Sequence, residues 1–394
     1  MRIIHLATSL DGGAGIAAKN IVSSQIQIGL DAKILTRDHM TKSLKSLPKK
    51  YMGKFVTLFT RFVTVKKYGF ISPISISTLD RAFLIRENPD IINVHNWYNF
   101  LSISDLEWLI KSFRVVFTLH DARLATGGCH TTLSCLEFKN LCKQCPASRL
   151  DYLVTYHKAS MDTALTGEYT LVSPSKWLLD LLAESHIVKS SRNTRVISNP
   201  VEIEFTGPIK GTRNRRHTKA LFIAANLEPH FKGLDLLITA LEILDQDLEG
   251  SNLEVEFIGG ISNPIKTEFK NISVKYRGVI SRQDVQKEMF DADLLFVPSR
   301  SDNFPSVITE AQLSGVLVVA TNVGGIPEMV SDENTGFLAE PNPSSLAVAI
   351  RRALWSKKNW VEIKRSAKVA AAERADNLRQ AENYRALYEE LTNG

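Results

Sequence analysis

The stretch from Ser299 to Glu328 leaves this chain little choice of fold. Ala292-Asp-Leu-Leu-Phe-Val297 is a short apolar run stopped by Pro298-Ser299, which predicts a buried strand. Ser306 to Leu313 then has helical character, with Pro305 at a tolerated first-turn position. After Gly315, Val316-Leu-Val-Val-Ala320 predicts a second strand. Strand, loop, helix and strand in that order build a parallel α/β sheet. Asp302 falls in the loop at the carboxyl end of the first strand, and Glu310 about two turns along the helix. Gly324-Gly325 is expected to open a further helix nearby. Ligands of open parallel sheets bind at the carboxyl ends of strands, where helix amino termini and glycine-rich loops favour phosphate. The plain alternative is two solvated acids on an ordinary βα unit.

Length then sets the domain count. At 394 residues two domains are expected. A hydrophobic content of 44% with 23% charged residues is ordinary for a globular protein. A net charge of +6 suits an anionic ligand or membrane surface. No run approaches the ~18 apolar residues that cross a bilayer. Met1-Arg-Ile-Ile-His-Leu-Ala7 reads as a first strand and not as a signal peptide, so a cytoplasmic protein is expected. There is no repeat of solenoid type and no low-complexity segment.

After that strand, Ser9-Leu-Asp-Gly-Gly-Ala-Gly15 is expected to be a glycine-rich turn, with a helix from Ile16 to Ile28 and a strand at Ala32–Leu35. Gly13 and Gly15, with Ala18, loosely match the pattern G-x-G-x-x-G/A, or simply mark a tight turn. Between Asp38 and Asp80 there is no acid. Lys42, Lys45, Lys49, Lys50, Lys54, Arg61, Lys66 and Lys67 alternate there with apolar residues. Such a segment, 42–67, can lie on an anionic membrane or be a solvated insertion.

Ile91–Val94 and Val115–Leu119 are predicted strands, each ending on a histidine: His95, and His120 followed by Asp121. Both imidazoles therefore reach one edge of a sheet, where each could hold a hydroxyl or cap its strand. All four cysteines, Cys129, Cys135, Cys142 and Cys145, fall within 17 positions. Cys142-x-x-Cys145 has the spacing of a zinc-binding arm, and a reducing compartment disfavours disulfides. A closed four-thiolate structural zinc is the favoured expectation, against free buried thiols or a redox pair. Such a site has no open position for chemistry.

A boundary is expected near Pro200. A strand at Ala220–Ala225 is followed by Asn226, Lys232-Gly233 and a helix from Leu234 to Leu244. Glu254–Gly260 and Val274–Ile280 predict two more strands, Ser344–Leu354 a helix, and Trp360–Leu391 one long helix or two.

Asp302 and Glu310, eight positions apart, followed by Ala311-Gln-Leu-Ser-Gly315, Val318-Val-Ala320 and Gly324-Gly325, resemble the acidic signature of family-four retaining glycosyltransferases of the GT-B fold. The first acid is Asp where that family has Glu. The run Gly127-Gly-Cys-His130 through Cys145-Pro146 is similar to a loop in the family's bacterial members that build exopolysaccharide, O-antigen (lipopolysaccharide) and colanic acid. The resemblance implies an α/β protein of two Rossmann-like domains facing across a cleft, with a carboxyl-terminal helix crossing back to the first domain. The amino-terminal acceptor domain would be 1–200, with the cysteine-rich loop 127–146 and the tail 375–394 packed on it. The donor domain would be 201–374.

The implied activity is transfer of a sugar from a nucleotide sugar (a UDP- or GDP-sugar) to a hydroxyl of a glycan or lipid-linked acceptor. No catalytic metal or nucleic acid is expected, and the protein would sit on the cytoplasmic face of a membrane. His120, Lys232 and Asp302 would be catalytic. The donor would lie against Gly13, Gly15, Asn226, Lys232, Ser299, Asp302, Asn303, Phe304, Pro305, Ser306 and Glu310. Gly278, Val279 and Ile280 would cradle its base. His95 and Asp121 would lie on the acceptor side. Relatives carry an arginine where Ala225 or Asn226 stands, leaving Lys232, itself open to being a plain surface residue, as a lone point charge. The alternatives are a non-catalytic partner of a transferase complex and a GT-B nucleotide-sugar epimerase. A zinc-based nucleic-acid binder is disfavoured because no basic recognition helix follows the cysteines.

Overall fold

The computed structural model describes residues 1–40, 47–65, 71–203, 209, 217–246, 253–265 and 268–393, with backbone alone for 47–54. It divides into two units. One is Met1–Pro200 with Asp376–Gly394; the other is Val201–Ala375.

The first unit is built on β1 (Arg2–Ala7), β2 (Asp31–Thr36), β3 (Ile91–Val94), β4 (Arg114–Thr118), β5 (Tyr169–Ser173) and β6 (Asn193–Val196). They form one sheet in the order β2-β1-β3-β4-β5-β6, and every pairing is parallel. Its helices are α1 (Gly12–Gln27), α2 (Arg37–Met40), α3 (Leu47–Val63), α4 (Arg81–Glu87), α5 (Ile103–Ser112), α6 (Asp151–Ala164), α7 (Lys176–Leu182) and α8 (His186–Lys189). Successive strand residues alternate faces. Ile4, Leu6, Ile92, Val94, Val115 and Phe117 therefore join one core with α5 and α6. Ile3, Ile91, Val116 and Val172 join another with α1 and the tail helix.

The second unit repeats the plan with β7 (Thr218–Asn226), β8 (Leu253–Gly260), β9 (Ile272–Gly278), β10 (Leu294–Val297), β11 (Leu317–Thr321) and β12 (Phe337–Ala339). Their order is β12-β11-β10-β7-β8-β9, again all parallel. Helices α9 (Leu234–Asp245), α10 (Arg282–Asp291), α11 (Ser306–Leu313), α12 (Pro343–Trp355) and α13 (Trp360–Arg374) cover it. Phe222, Phe257 and Phe296 pack with Leu237, Leu241, Ile350 and Trp360 on one face. Leu221, Leu295 and Val318 pack with Met289, Ile308 and Ala311 on the other. Each such side chain contributes about 1.5–3 kcal/mol of transfer free energy. The predicted long helical tail is two helices. The second, α14 (Asn377–Asn393), packs on α1 and buries Tyr384, Leu387 and Tyr388 against the first sheet.

Three expectations are corrected here. Gly13 and Gly15 are in the first turn of α1, not in a turn before it. Glycine's poor helix propensity hides the start of this helix. Gly15 is there because a Cβ would stand 2.6 Å from the carbonyl oxygen of Ser9. Gly324-Gly325 leads only into a single 3-10 turn, Ile326–Glu328, with the Ile326 carbonyl accepting from the amides of Met329 and Val330. Glu310 is the fifth residue of α11, a little over one turn in.

Candidate active site

The loops after β7 and β10 meet at the carboxyl end of the second sheet. Lys232 ends a 3-10 turn, His230–Lys232, and its Nζ donates to Asp302 Oδ2 at 2.7 Å. Both side chains are partly buried. The loop bearing Asp302 is fixed from two directions. Gly233, at φ +74°, brings its backbone so near Pro298 that a Cβ would stand 1.8 Å from the Pro298 carbonyl oxygen. Gly324, at φ +63°, does the same to the carbonyl of Asp302, at 1.9 Å. The amide of Gly325 donates to that carbonyl at 3.0 Å. Arg300, between them, grips Asp235 with two bonds of 2.6 and 2.7 Å and the His230 carbonyl at 2.9 Å.

Asn303, Phe304 and Pro305 lead into α11, whose first residue is Ser306. Pro305 takes the cap position without a side-chain acceptor, so the amino end of α11 gains no side-chain cap bond there. Glu310 is partly buried, and desolvation pushes its carboxyl above the usual range against the opposing pull of Arg282 and Ser306. Arg282, the first residue of α10, went unassigned because nothing in the sequence brings α10 and Glu310 of α11 together. Ser299 lies buried within 3.5 Å of Asp302. Asn226 ends β7 exposed, its Oδ1 accepting from the Glu228 amide at 3.0 Å. Gly278 ends β9, and Val279 beyond it is exposed.

In the first unit, His95 and His120 follow β3 and β4 and help line a small pocket with Trp97, Asp121 and Arg123. Their rings stack with centroids 5.3 Å apart, and His95 Nδ1 lies 3.0 Å from His120 Nε2. His95 also reaches a third ring, His5 in the middle of β1, at 2.8 Å from Nε2 to Nδ1. Burial lowers His5 and His120 to about 4. For His95, burial and then its two ring neighbours push the value well below the usual range. Asp121 is different. Burial alone would raise its carboxyl, but Arg123 and His130 overcome that and bring it to about 2. His130 Nδ1 is 3.1 Å from its Oδ2.

Residues 209–370 match the family described as Glycosyl transferases group 1. A protein of the cps region of Klebsiella pneumoniae, described as an uncharacterized 41.2 kDa protein, is 21% identical over 359 residues, 89% of each chain. D-inositol 3-phosphate glycosyltransferase of Corynebacterium glutamicum is 33% identical over 279 residues, 64% of this chain and 60% of that one. Among solved structures, sucrose-phosphate synthase from Thermosynechococcus elongatus superposes with a TM-score of 0.67 at 18% identity, covering 99% of each chain. Anabaena HepE in complex with UDP-glucose gives 0.60 at 17%, covering 99% of this chain and 100% of that one. This chain carries a group 1 glycosyl transferase domain. Its two units are the Rossmann-like halves of the GT-B fold.

Elsewhere in the chain, the four cysteines form no disulfide and line one pocket with Phe138 and Pro146. Cys129 and Cys145 influence each other's titration, and the Cys129 thiol pulls that of Cys145 below its usual range. Among the described residues, no three or more His, Cys, Asp or Glu side chains are already arranged as a metal site. A bridge from Cys129 to Ile71, and another from Ser148 to Thr64, tie this loop to the chain after α3. On α3 itself, Phe55, Leu58 and Phe62 recur at helical spacing and are all exposed. Lys42, Lys45, Lys66 and Lys67 lie outside the described residues, as do the side chains of Lys49, Lys50 and Lys54. No helix among the described residues is long and apolar enough to cross a membrane.

Proposed function

We propose that this chain is a retaining glycosyltransferase. It would move a sugar from a UDP- or GDP-sugar to a hydroxyl of a glycan or lipid-linked acceptor in cell-surface polysaccharide biosynthesis. The observation that carries this reading is the 2.7 Å pairing of Lys232 with Asp302 at the ends of parallel strands. A donor diphosphate brings more negative charge than one carboxylate, and an ammonium group has three protons to share. Lys232 would turn to the diphosphate and release Asp302 to a sugar hydroxyl. The amides from Asn303 to Ser306 at the amino end of α11 would hold other hydroxyls. Glu310 would accept from the ribose hydroxyls, which its partial burial favours because a desolvated carboxylate lacks competing water. Gly278, Val279 and Ile280 would face the base through backbone groups.

In the reaction, the bond from the anomeric carbon to the phosphate oxygen breaks and its electron pair stays on the phosphate. The acceptor oxygen bonds to the same face of that carbon, and its proton passes to the departing phosphate oxygen. Lys232 and the helix end stabilise the charge that develops there. His120 is assigned to the reacting sugar, and His95 and Asp121 to the acceptor. The reading needs no divalent cation. The sequence holds two D-x-D pairs, Asp245-Gln-Asp247 and Asp291-Ala-Asp293; Asp245 accepts from the amides of Lys270 and Asn271, and Asp293 from that of Lys219. Those carboxylates have structural duties.

Two further assignments belong to the same reading. The shared pocket of the four thiols supports a structural zinc, whose binding would have to draw the sulfurs together. Elemental analysis should find about one zinc per chain, lost in Cys142→Ser, if zinc closes the site. The exposed Phe55, Leu58 and Phe62 beside a basic sequence support contact with an anionic membrane surface from the cytoplasmic side. Replacing all three with Ser should release the protein from phosphatidylglycerol vesicles; unchanged co-sedimentation refutes the contact.

The deciding experiment compares Glu310→Ala with the unaltered chain. UDP- or GDP-sugars at about 100 times Kd should stabilise the unaltered fold by ~2.7 kcal/mol, read as a higher Tm. The variant should lose both that shift and turnover. Equal shifts and rates in the two proteins would defeat the assignment. The resembled family's arginine, absent at Ala225 or Asn226, favours one rival, a non-catalytic partner, which would show the shift without any release of nucleotide.

A further inference from the structure

His5, His95 and His120 come from three adjacent strands, and their ring nitrogens are joined end to end. The parallel register sets His5 beside Asn93, two residues before His95, and Thr118 precedes His120 by the same step. All three rings thus project from one face of the sheet, each a step closer to the strand ends. The line continues inward. His5 Nε2 lies 2.9 Å from Gln25 Oε1 on α1, and Gln25 Nε2 donates to Tyr388 Oη on α14 at 3.2 Å. Tyr388 Oη also receives Asn93 Nδ2 at 2.9 Å, and Asn93 Oδ1 accepts from Thr118 at 2.8 Å. The amide at the end of the line is therefore held by the strand and by the tail helix.

We infer that Gln25 is a positioning residue that sets the tautomer of His120 through His95 and His5. An amide oxygen can only accept, so His5 must carry its proton on Nε2. His5 Nδ1 is then an acceptor, which requires the proton of His95 on Nε2. His95 Nδ1 in turn requires the proton of His120 on Nε2. Nδ1 of His120 is left without a proton and acts only as an acceptor. The rings are held neutral by burial, so each has one proton to place and the sequence of donors has a single direction. Turning the amide of Gln25 over would reverse every bond and put the last proton on His120 Nδ1. The consequence for catalysis rests on the role proposed above for His120: a ring poised to accept suits a sugar hydroxyl, which donates. A wrong tautomer in an intact geometry is known to be costly to enzymes.

The test is a two-bond proton–nitrogen correlation spectrum of histidine-labelled, substrate-free protein at pH 7.5. His5, His95 and His120 should all show the pattern of protonated Nε2. In Gln25→Leu the His120 signal should move to a mixture of tautomers, and Gln25→Glu, which keeps an acceptor, should restore it. In turnover, Gln25→Leu should lower kcat ~10-fold or more, with donor KM changed less than ~2-fold, because orientation and not binding is lost. Protonated Nδ1 on His120 in the unaltered protein overturns the inference, even if Gln25→Leu fails to fold. An unchanged His120 tautomer in a folded Gln25→Leu overturns it too. The spectrum needs neither substrate nor turnover, so it stands apart from any failure of the proposed activity.

Discussion

At the ends of β7 and β10 the polar side chains meet as charges, Lys232 against Asp302, both partly open to water. At the ends of β3 and β4 they meet as stacked neutral rings, His95 buried and His120 half-buried where it lines a small pocket. The difference follows from solvation. A pair of ions kept near water can exchange partners at small cost, because exposed pairs contribute only about 0–1 kcal/mol. A buried ring cannot exchange anything cheaply, since an unmet polar group there costs about 1–3 kcal/mol. On the proposed reading the first arrangement can respond to an incoming anion, while the second holds a fixed pattern of donors and acceptors.

The sharpest way to break this contrast is to remove the exchangeable charge. Lys232→Ala should lower kcat/KM by ~10²-fold or more if the ammonium stabilises a leaving phosphate, while leaving the fold intact. Steady-state kinetics beside a melting curve would show it, and a loss under threefold would mean the cation is ornamental. Next in size is acid. The lowered values of His5 and His120, about 4, mean that the unfolded chain binds more protons than the folded one between pH 6.5 and that value. Stability from these rings is therefore complete above pH 6.5 and is lost as pH falls toward 4. The loss should reach a few kcal/mol by pH 5. Glu310 has the opposite sign: its raised value favours the folded form until pH climbs through it. Hydrogen exchange at pH 7.5 and 5 should show protection falling in β1, β3 and β4 before it falls in β7 and β10. Equal loss in both sheets would erase the distinction. The smallest effect is Asp302→Asn. Freed from its carboxylate, Lys232 should bind nucleoside diphosphate ~5-fold more tightly, by ~1 kcal/mol, as turnover drops. Calorimetry would read the change, and weaker binding would show that the pair does not compete with phosphate.

Much of the second unit was legible because independent local signals agree there. The apolar run Leu294–Val297, the prolines at 298 and 305 and the apolar spacing of α11 each point to the same strand, loop and helix. The bounds of α11 fall at Ser306 and Leu313, as its sequence predicts. In the first unit His95 and His120 could be placed at strand ends, but their connection to His5, Gln25 and Tyr388 could not. The bonded pair Gln25 and Tyr388 lies 363 positions apart, and only sheet register and the return of α14 bring the group together. A sign was present all the same: an imidazole inside the otherwise apolar Ile3–Ala7 needs a buried partner. Glycines misled in a different way. Their propensity argues against helix at Gly12–Gly15, whereas close packing of the preceding loop demands a residue without a Cβ.

The two glycines that press on the Asp302 loop also limit how its lineage can change. With Gly233 against Pro298 and Gly324 against Asp302, the main chain there has nowhere to slide. A shift in preference for one ligand over another must then come from side-chain reach alone. Trading Asp for Glu at position 302 moves the carboxylate by about one carbon–carbon bond along a fixed line, a discrete step like the notch of a caliper. Diversification at this position should run through the length of one acid, while the glycines beside it stay put.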